Sequence, residues 1–256
     1  MNRKILYIVT FFISFSSQVS AAVLEDVWNK YVPSADTEYT VFKEFDSITS
    51  FPGRIFGTVQ VNSKESDFNY PWKYRDICYE IHYENSQELA RAIYSLAVFT
   101  HDVDSDFPRD KFVKNVLGCH YSLSEVVNWI NYSIGMNIDF NKATVRFINA
   151  LVEDGVIKKE QGIFIKNSSS KVQNFVAASA GKNRPFDVNL RHERLHVFWD
   201  LDEGFFNSYT AKWKSLKGKE LEKAKEIVKN YAQDNEKLLI EEWAIKLAEN
   251  GEISIE

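Results

Sequence analysis

The residues with the clearest chemical potential are His192-Glu193-Arg194-Leu195-His196, an H-E-x-x-H in a segment whose flanks read as helix. On an α-helix, residues four apart lie on one face, about 40° around and roughly 6 Å along the axis, so both imidazoles can reach one metal ion. Neutral imidazole nitrogens suit Zn²⁺, and a third protein ligand would leave a fourth position open for water. Glu193 lies three residues before His196, close enough to act as the general base on that water rather than as a ligand.

The third ligand has several candidates. Glu241 and Glu242 lie in Leu238-Leu239-Ile240-Glu241-Glu242-Trp243-Ala244-Ile245-Lys246-Leu247-Ala248, which has a helical pattern. Glu241 shares a face with Leu238, Ala244, Ile245 and Ala248, whereas Glu242 groups with Ile245, Lys246 and Glu249. A carboxylate on the apolar stripe must be paired or bind a metal, which favours Glu241. Asp202 stands ten residues after His192, a spacing used by metal sites in which a glycine turns the chain back; Trp199 occupies the glycine position here.

With these residues the chain resembles the gluzincin class of zinc metallopeptidases, which carry H-E-x-x-H on one helix and a glutamate on a later helix. Glu241-Glu242-Trp243-Ala244 looks like the E-x-x-A form of that second helix. The resemblance covers about residues 188–248. It implies His192, His196 and Glu241 as zinc ligands, Glu193 as catalytic base, and a peptide or protein substrate held in extended form against a strand, for which Val172 to Ala177 is the candidate. A tyrosine or histidine beside the metal usually stabilises the oxyanion in such enzymes, and Tyr209, with Tyr231 as alternative, is expected there.

These residues need a scaffold, and the chain can supply one. Its 256 residues are 45% hydrophobic and 26% charged, enough for a sizeable core. The pattern predicts an α+β fold: a β-rich N-terminal segment over 22–84, then a mainly helical, zincin-like catalytic region over 85–256 with a small sheet. Tyr, Phe, Val and Ile are dense from Glu38 to Tyr83, with alternation in Thr58-Val59-Gln60-Val61. Helical spacing begins at Ser86, and Ser122-Leu123-Ser124-Glu125 has the form of a capping box. A helix over 141–154 ending at Gly155 precedes a hairpin of Val156-Ile157 and Ile163 to Ile165; a further helix over 188–203 is closed by Gly204. The C-terminal part reads as helical throughout, with Lys217 to Lys229 a solvated face.

Charge and compartment narrow the function. A net charge of −5 without blocks of like charge argues against a nucleic-acid partner, even though helix plus hairpin resembles a winged-helix fragment. Met1 to Lys4, the apolar run Ile5 to Phe15 and Val19-Ser20-Ala21 read as a signal peptide over 1–21, so the chain is expected to be secreted or periplasmic, without stable membrane insertion. Export favours a bridge between the two cysteines, Cys78 and Cys119, over a reactive thiol at Cys119. Asn131-Tyr132-Ser133 and Asn167-Ser168-Ser169 fit the glycosylation sequon. His82, His101 and His120 have no mutual metal spacing, and the Asp102-Val103-Asp104-Ser105-Asp106 run lacks the glycine and glutamate of a calcium loop. The expectation is an exported zinc metallopeptidase. The alternative is a non-enzymatic exported binding protein with structural zinc or none.

Overall fold

The computed structural model of the protein describes residues 53–57, 72–181, 184, 186–229, 231 and 235–249. Within them, β1 (Gly53–Phe56), β2 (Cys78–Tyr83), β3 (Gly118–Ser122) and β6 (Asn174–Ser179) form one sheet in the order β1-β2-β6-β3. β1, β2 and β6 are parallel, and β3 runs antiparallel to β6 at the edge. A separate hairpin joins β4 (Ile157–Glu160) to β5 (Ile163–Lys166). Its two-residue turn has positive φ at Gln161 (52°) and Gly162 (84°), the geometry that matches the right-handed twist of the flanking strands.

Eight α-helices accompany the strands among the described residues: α1 (Ser86–Phe99), α2 (Arg109–Asn115), α3 (Leu123–Gly135), α4 (Lys142–Glu153), α5 (Phe186–Leu201), α6 (Glu203–Ser215), α7 (Lys219–Ile227) and α8 (Glu236–Glu249). Their starts are written locally. Asn85 and Asn141 accept backbone N–H groups at the first turns of α1 and α4. Ser122 and Glu125 form the expected capping box of α3, closing two orphan donors reciprocally.

The two central strands, β2 and β6, are buried on both faces, and side-chain alternation divides them between two cores. Tyr79, Ile81, Tyr83, Phe175 and Ala177 face α1, α3 and α4, with Cys119 and Tyr121 of β3 on the same side. Cys78, Val176 and Ala178 face the other way, against Phe186, Leu190 and Val197 of α5. A third cluster, built on Trp199, Tyr209, Trp213, Leu239 and Trp243, ties the C-terminal helices together.

The α+β expectation holds at that level. Strands from both sides of the expected boundary at 84–85 share the one sheet. The leader at 1–21, the Thr58 to Val61 alternation and most of the 22–84 segment lie outside the described residues. The expected helix over 188–203 ends earlier than Gly204: α5 stops at Leu201, and Asp202 caps a new helix by accepting the Phe205 N–H. No helix among the described residues is long and apolar enough to cross a membrane.

The expected cysteine bridge is corrected. Cys78 sits on β2 and Cys119 on β3, with β6 between them, and the two thiols point into cores on opposite faces of the sheet. Two strand spacings separate them by about 10 Å, beyond the reach of a disulfide. Burial raises both thiols well above the usual cysteine pKa, which removes the reactive-thiol reading of Cys119 as well.

Candidate metal centre

The helix α5 is unusual because residues 192–196 are buried all round, although four of the five are His, Glu, Arg or His. It lies between the sheet and α8 and touches the edge strand β3. Each polar side chain at such a place needs a partner, since an unpaired charge in a packed interior is prohibitively costly. The partners define the site.

Arg194 turns toward the sheet and grips Glu80 of β2 through Nε and Nη2 at 2.7 and 2.9 Å, while His82 contacts the same carboxylate at 3.0 Å. Burial alone would raise the Glu80 carboxyl, but Arg194 and His82 hold it down to about 2. This buried ion pair fixes the rotation of α5 on the sheet, and so sets where the other polar residues of the turn point.

His192 and His196 point to α8. Their rings are 5.0 Å apart at 83°, and Glu242 lies opposite both: His192 Nε2 is 3.6 Å from Oε2 and His196 Nε2 is 3.7 Å from Oε1. His192, His196 and Glu242 therefore offer three ligand atoms within 4.8 Å of one another, all from buried residues, and this group could hold a metal ion. The spacing fits. Ligand atoms at about 2.0–2.1 Å from a tetrahedral ion stand about 3.3–3.4 Å apart, a few tenths of an ångström inside the observed separations. Glu242 Oε2 is buried and accepts no hydrogen bond from the described residues, an open acceptor that a cation would satisfy.

The structure brings Glu242, not the expected Glu241, opposite the two Nε2 atoms. Glu241 does not reach the Nε2 atoms; it accepts a hydrogen bond from, or shares a proton with, Nδ1 of His196 at 2.7 Å, and its side chain is 21% exposed against 7% for Glu242. The apolar-stripe argument failed because α8 is buried on nearly every side, by Leu239, Ile240, Trp243, Ala244, Ile245 and Ala248, so an apolar stripe could not single out the face that meets the two Nε2 atoms. Glu242 and Glu249 stand seven residues apart, on one face two turns apart; that spacing was the signal available in the sequence. Asp202 is not in the group of His192, His196 and Glu242: it caps α6 and accepts from Lys73 at 2.7 Å.

Glu193 turns toward the edge strand. Its carboxylate packs on Gly118 of β3 so closely that a Cβ there would stand 2.4 Å from Oε1. Burial raises its pKa to about 7, with Glu242 adding to the rise and His192 and His120 opposing it. Burial, reinforced by His192 and His120, lowers the His196 pKa well below the ordinary value. For His192 burial acts the same way, but Glu249, Glu193 and Glu242 outweigh it and raise the pKa.

Other expected site residues fall elsewhere. Tyr209 is buried in the aromatic cluster, 4.9 Å from Phe205 and 6.0 Å from Trp243 by ring centroids, and serves packing. Tyr231 is the tyrosine that reaches the carboxylates: its phenol is hydrogen-bonded to Glu242, and burial with that neighbour raises its pKa. The strand named for substrate, now β6, has both edges taken by β2 and β3; among the described residues the outer strands are β1 and β3, and β3 is the one that touches α5. That strand also supplies His120, which sequence spacing set aside. Its ring stacks on His196 at 5.1 Å and 1°, and Nε2 contacts Asp200 at 2.8 Å. The two histidines stand 76 positions apart, and only the packing of α5 on β3 brings them together.

The glycosylation sequons are spent structurally: Asn131 exchanges two hydrogen bonds with the backbone of Phe164, and the Asn167 amide donates to Gly155. Asp102, Asp104 and Asp106 form no metal-capable group. No family model, curated protein or solved structure matches the chain.

Proposed function

We propose that the protein is a zinc-dependent metallopeptidase, with His192, His196 and Glu242 as ligands and Glu193 as general base. The observation that carries the reading is the convergence, within 4.8 Å, of two buried imidazoles and the buried carboxylate of Glu242, whose Oε2 has no hydrogen-bond partner among the described residues. The ligand chemistry favours zinc, because two imidazole nitrogens and one carboxylate would suit that ion better than the oxygen-rich shells of magnesium or calcium. The resemblance to gluzincins, with the glutamate moved to position 242, supports the same choice.

When bound, zinc would polarise a scissile carbonyl and acidify an attacking water. The chain's own residues would do the rest. Glu193, held in place against Gly118, takes the proton of the water and later delivers it to the leaving amine. Tyr231, beside Glu242, would have to turn its single O–H away from that carboxylate to donate to the developing oxyanion, the role expected of Tyr209. An extended peptide can add to the outer edge of β3 by backbone hydrogen bonds, which would lay its carbonyls along α5. The basic and apolar start of the chain supports export to the periplasm or the exterior.

The test is metal content and hydrolysis measured together. Purified protein should hold about one zinc per chain, and Glu193→Gln should keep the zinc while losing cleavage of a mixed peptide library. Failure to take up zinc after refilling at neutral pH overturns the reading, and unimpaired cleavage by Glu193→Gln overturns the role of the base.

A further inference from the structure

We propose that α8 supplies, besides the ligand Glu242, two positioning carboxylates that set both imidazoles: Glu249 for His192 and Glu241 for His196, with Arg184 holding Glu249. This rests on the metal reading above. An imidazole can offer either nitrogen, and it binds through Nε2 only when Nδ1 carries the proton. A carboxylate on Nδ1 selects that tautomer, stops the ring from turning about its Cβ–Cγ bond and makes Nε2 a stronger donor to the metal.

Both histidines have this contact: His192 Nδ1 lies 2.9 Å from Glu249 Oε1, and His196 Nδ1 lies 2.7 Å from Glu241 Oε1. The pairing is crossed, since the earlier histidine meets the later glutamate, which is what antiparallel packing of α5 and α8 produces. Two rings held nearly perpendicular nevertheless direct Nε2 at one carboxylate, at 3.6 and 3.7 Å, so each must be oriented separately.

Arg184 adds a third tier. It lies in the connection from β6 to α5, where its carbonyl accepts the Gly181 N–H, and its Nη2 donates to Glu249 Oε1 at 2.5 Å. The same oxygen thus receives Arg184 and His192. The guanidinium keeps Glu249 an acceptor and anchors the far end of α8 to the loop that precedes the metal helix.

The experiment is Zn²⁺ affinity, by competition with a chromophoric chelator, for the parent, Glu249→Ala, Glu241→Ala, Glu249→Gln, Glu241→Gln and Arg184→Met, beside the visible spectrum of the Co²⁺-loaded forms. Each alanine variant should bind Zn²⁺ about 10–100-fold more weakly. Each glutamine variant, whose amide oxygen still accepts Nδ1–H, should lose only several-fold, and Arg184→Met less than Glu249→Ala. The Co²⁺ bands should shift in the alanine variants at unchanged far-UV circular dichroism, a signature that a merely structural role would not produce. Alanine variants that fold and bind Zn²⁺ within twofold of the parent overturn the proposal and leave the metal site standing. If an alanine variant does not fold, its glutamine counterpart decides: several-fold weaker binding at an unchanged melting temperature supports the proposal, and parental affinity overturns it. A parent that binds no Zn²⁺ overturns the metal reading, and this proposal with it.

Discussion

Glu80→Gln should destabilise the protein severely although it changes one atom, because it removes the buried negative charge that Arg194 grips. The pair is bidentate at 2.7 and 2.9 Å, with side-chain exposures of 7% for Arg194 and 1% for Glu80. Removing one member of such a pair costs about 3–5 kcal/mol, most of it the desolvation of the charge left behind. For a chain of this size that corresponds to a fall in melting temperature on the order of 10 °C. Arg194→Met should cost a similar amount, whereas the double variant should recover much of the loss, since an apolar neighbour no longer leaves a charge unpaired. The assay is urea unfolding of the parent, both single variants and the double. The pH dependence has a fixed sign: Glu80 falls from an ordinary 4.5 to about 2 in the folded state, so its contribution is complete above about 4.5 and disappears as pH falls through 2. The Glu80→Gln variant should therefore lose less stability than the parent between pH 5 and pH 2. A single-variant cost below about 1 kcal/mol, or a double variant that loses the full sum, would refute the claim that this pair anchors the metal helix.

Glu242→Ala should abolish zinc binding in equilibrium dialysis, a larger effect than that of Glu241→Ala; equal effects would deny Glu242 its place between the two Nε2 atoms. Gly118→Ala puts a methyl 2.4 Å from Glu193 Oε1, so peptide hydrolysis should drop at least tenfold while zinc content stays near one per chain, and undiminished hydrolysis would show that the base can shift freely. Thiol alkylation followed by intact mass should label neither cysteine in the native protein and both after denaturation without reductant; a denatured protein that resists labelling would reinstate the bridge. Glu193→Gln should keep its zinc and lose turnover, and a proportional loss of zinc would move Glu193 from base to ligand.

Local sequence determined the elements and the chemistry. Caps at Asn85, Ser122 and Asn141, the Gln161-Gly162 turn and the apolar spacing of α1 and α4 all act over a few residues, so they can be read without knowing the fold. The H-E-x-x-H is local in the same sense, because four residues of helix put His192 and His196 on one face whatever lies opposite. What lies opposite is a tertiary matter. Adjacent glutamates 241 and 242 differ by 100° of helix rotation, and which one meets the histidines depends on how α8 rolls against α5, a rotation set by Trp243 and its neighbours in a distant aromatic core. The same holds for Tyr231 against Tyr209, for His120 and Gly118 on the edge strand, and for Cys78 and Cys119, whose separation follows from β6 inserting between strands far earlier in the chain. Pattern within one element reveals its face, whereas the partner across that face depends on packing contributed by residues anywhere in the chain, and here that packing decided which carboxylates meet the two histidines and which strand lies beside them.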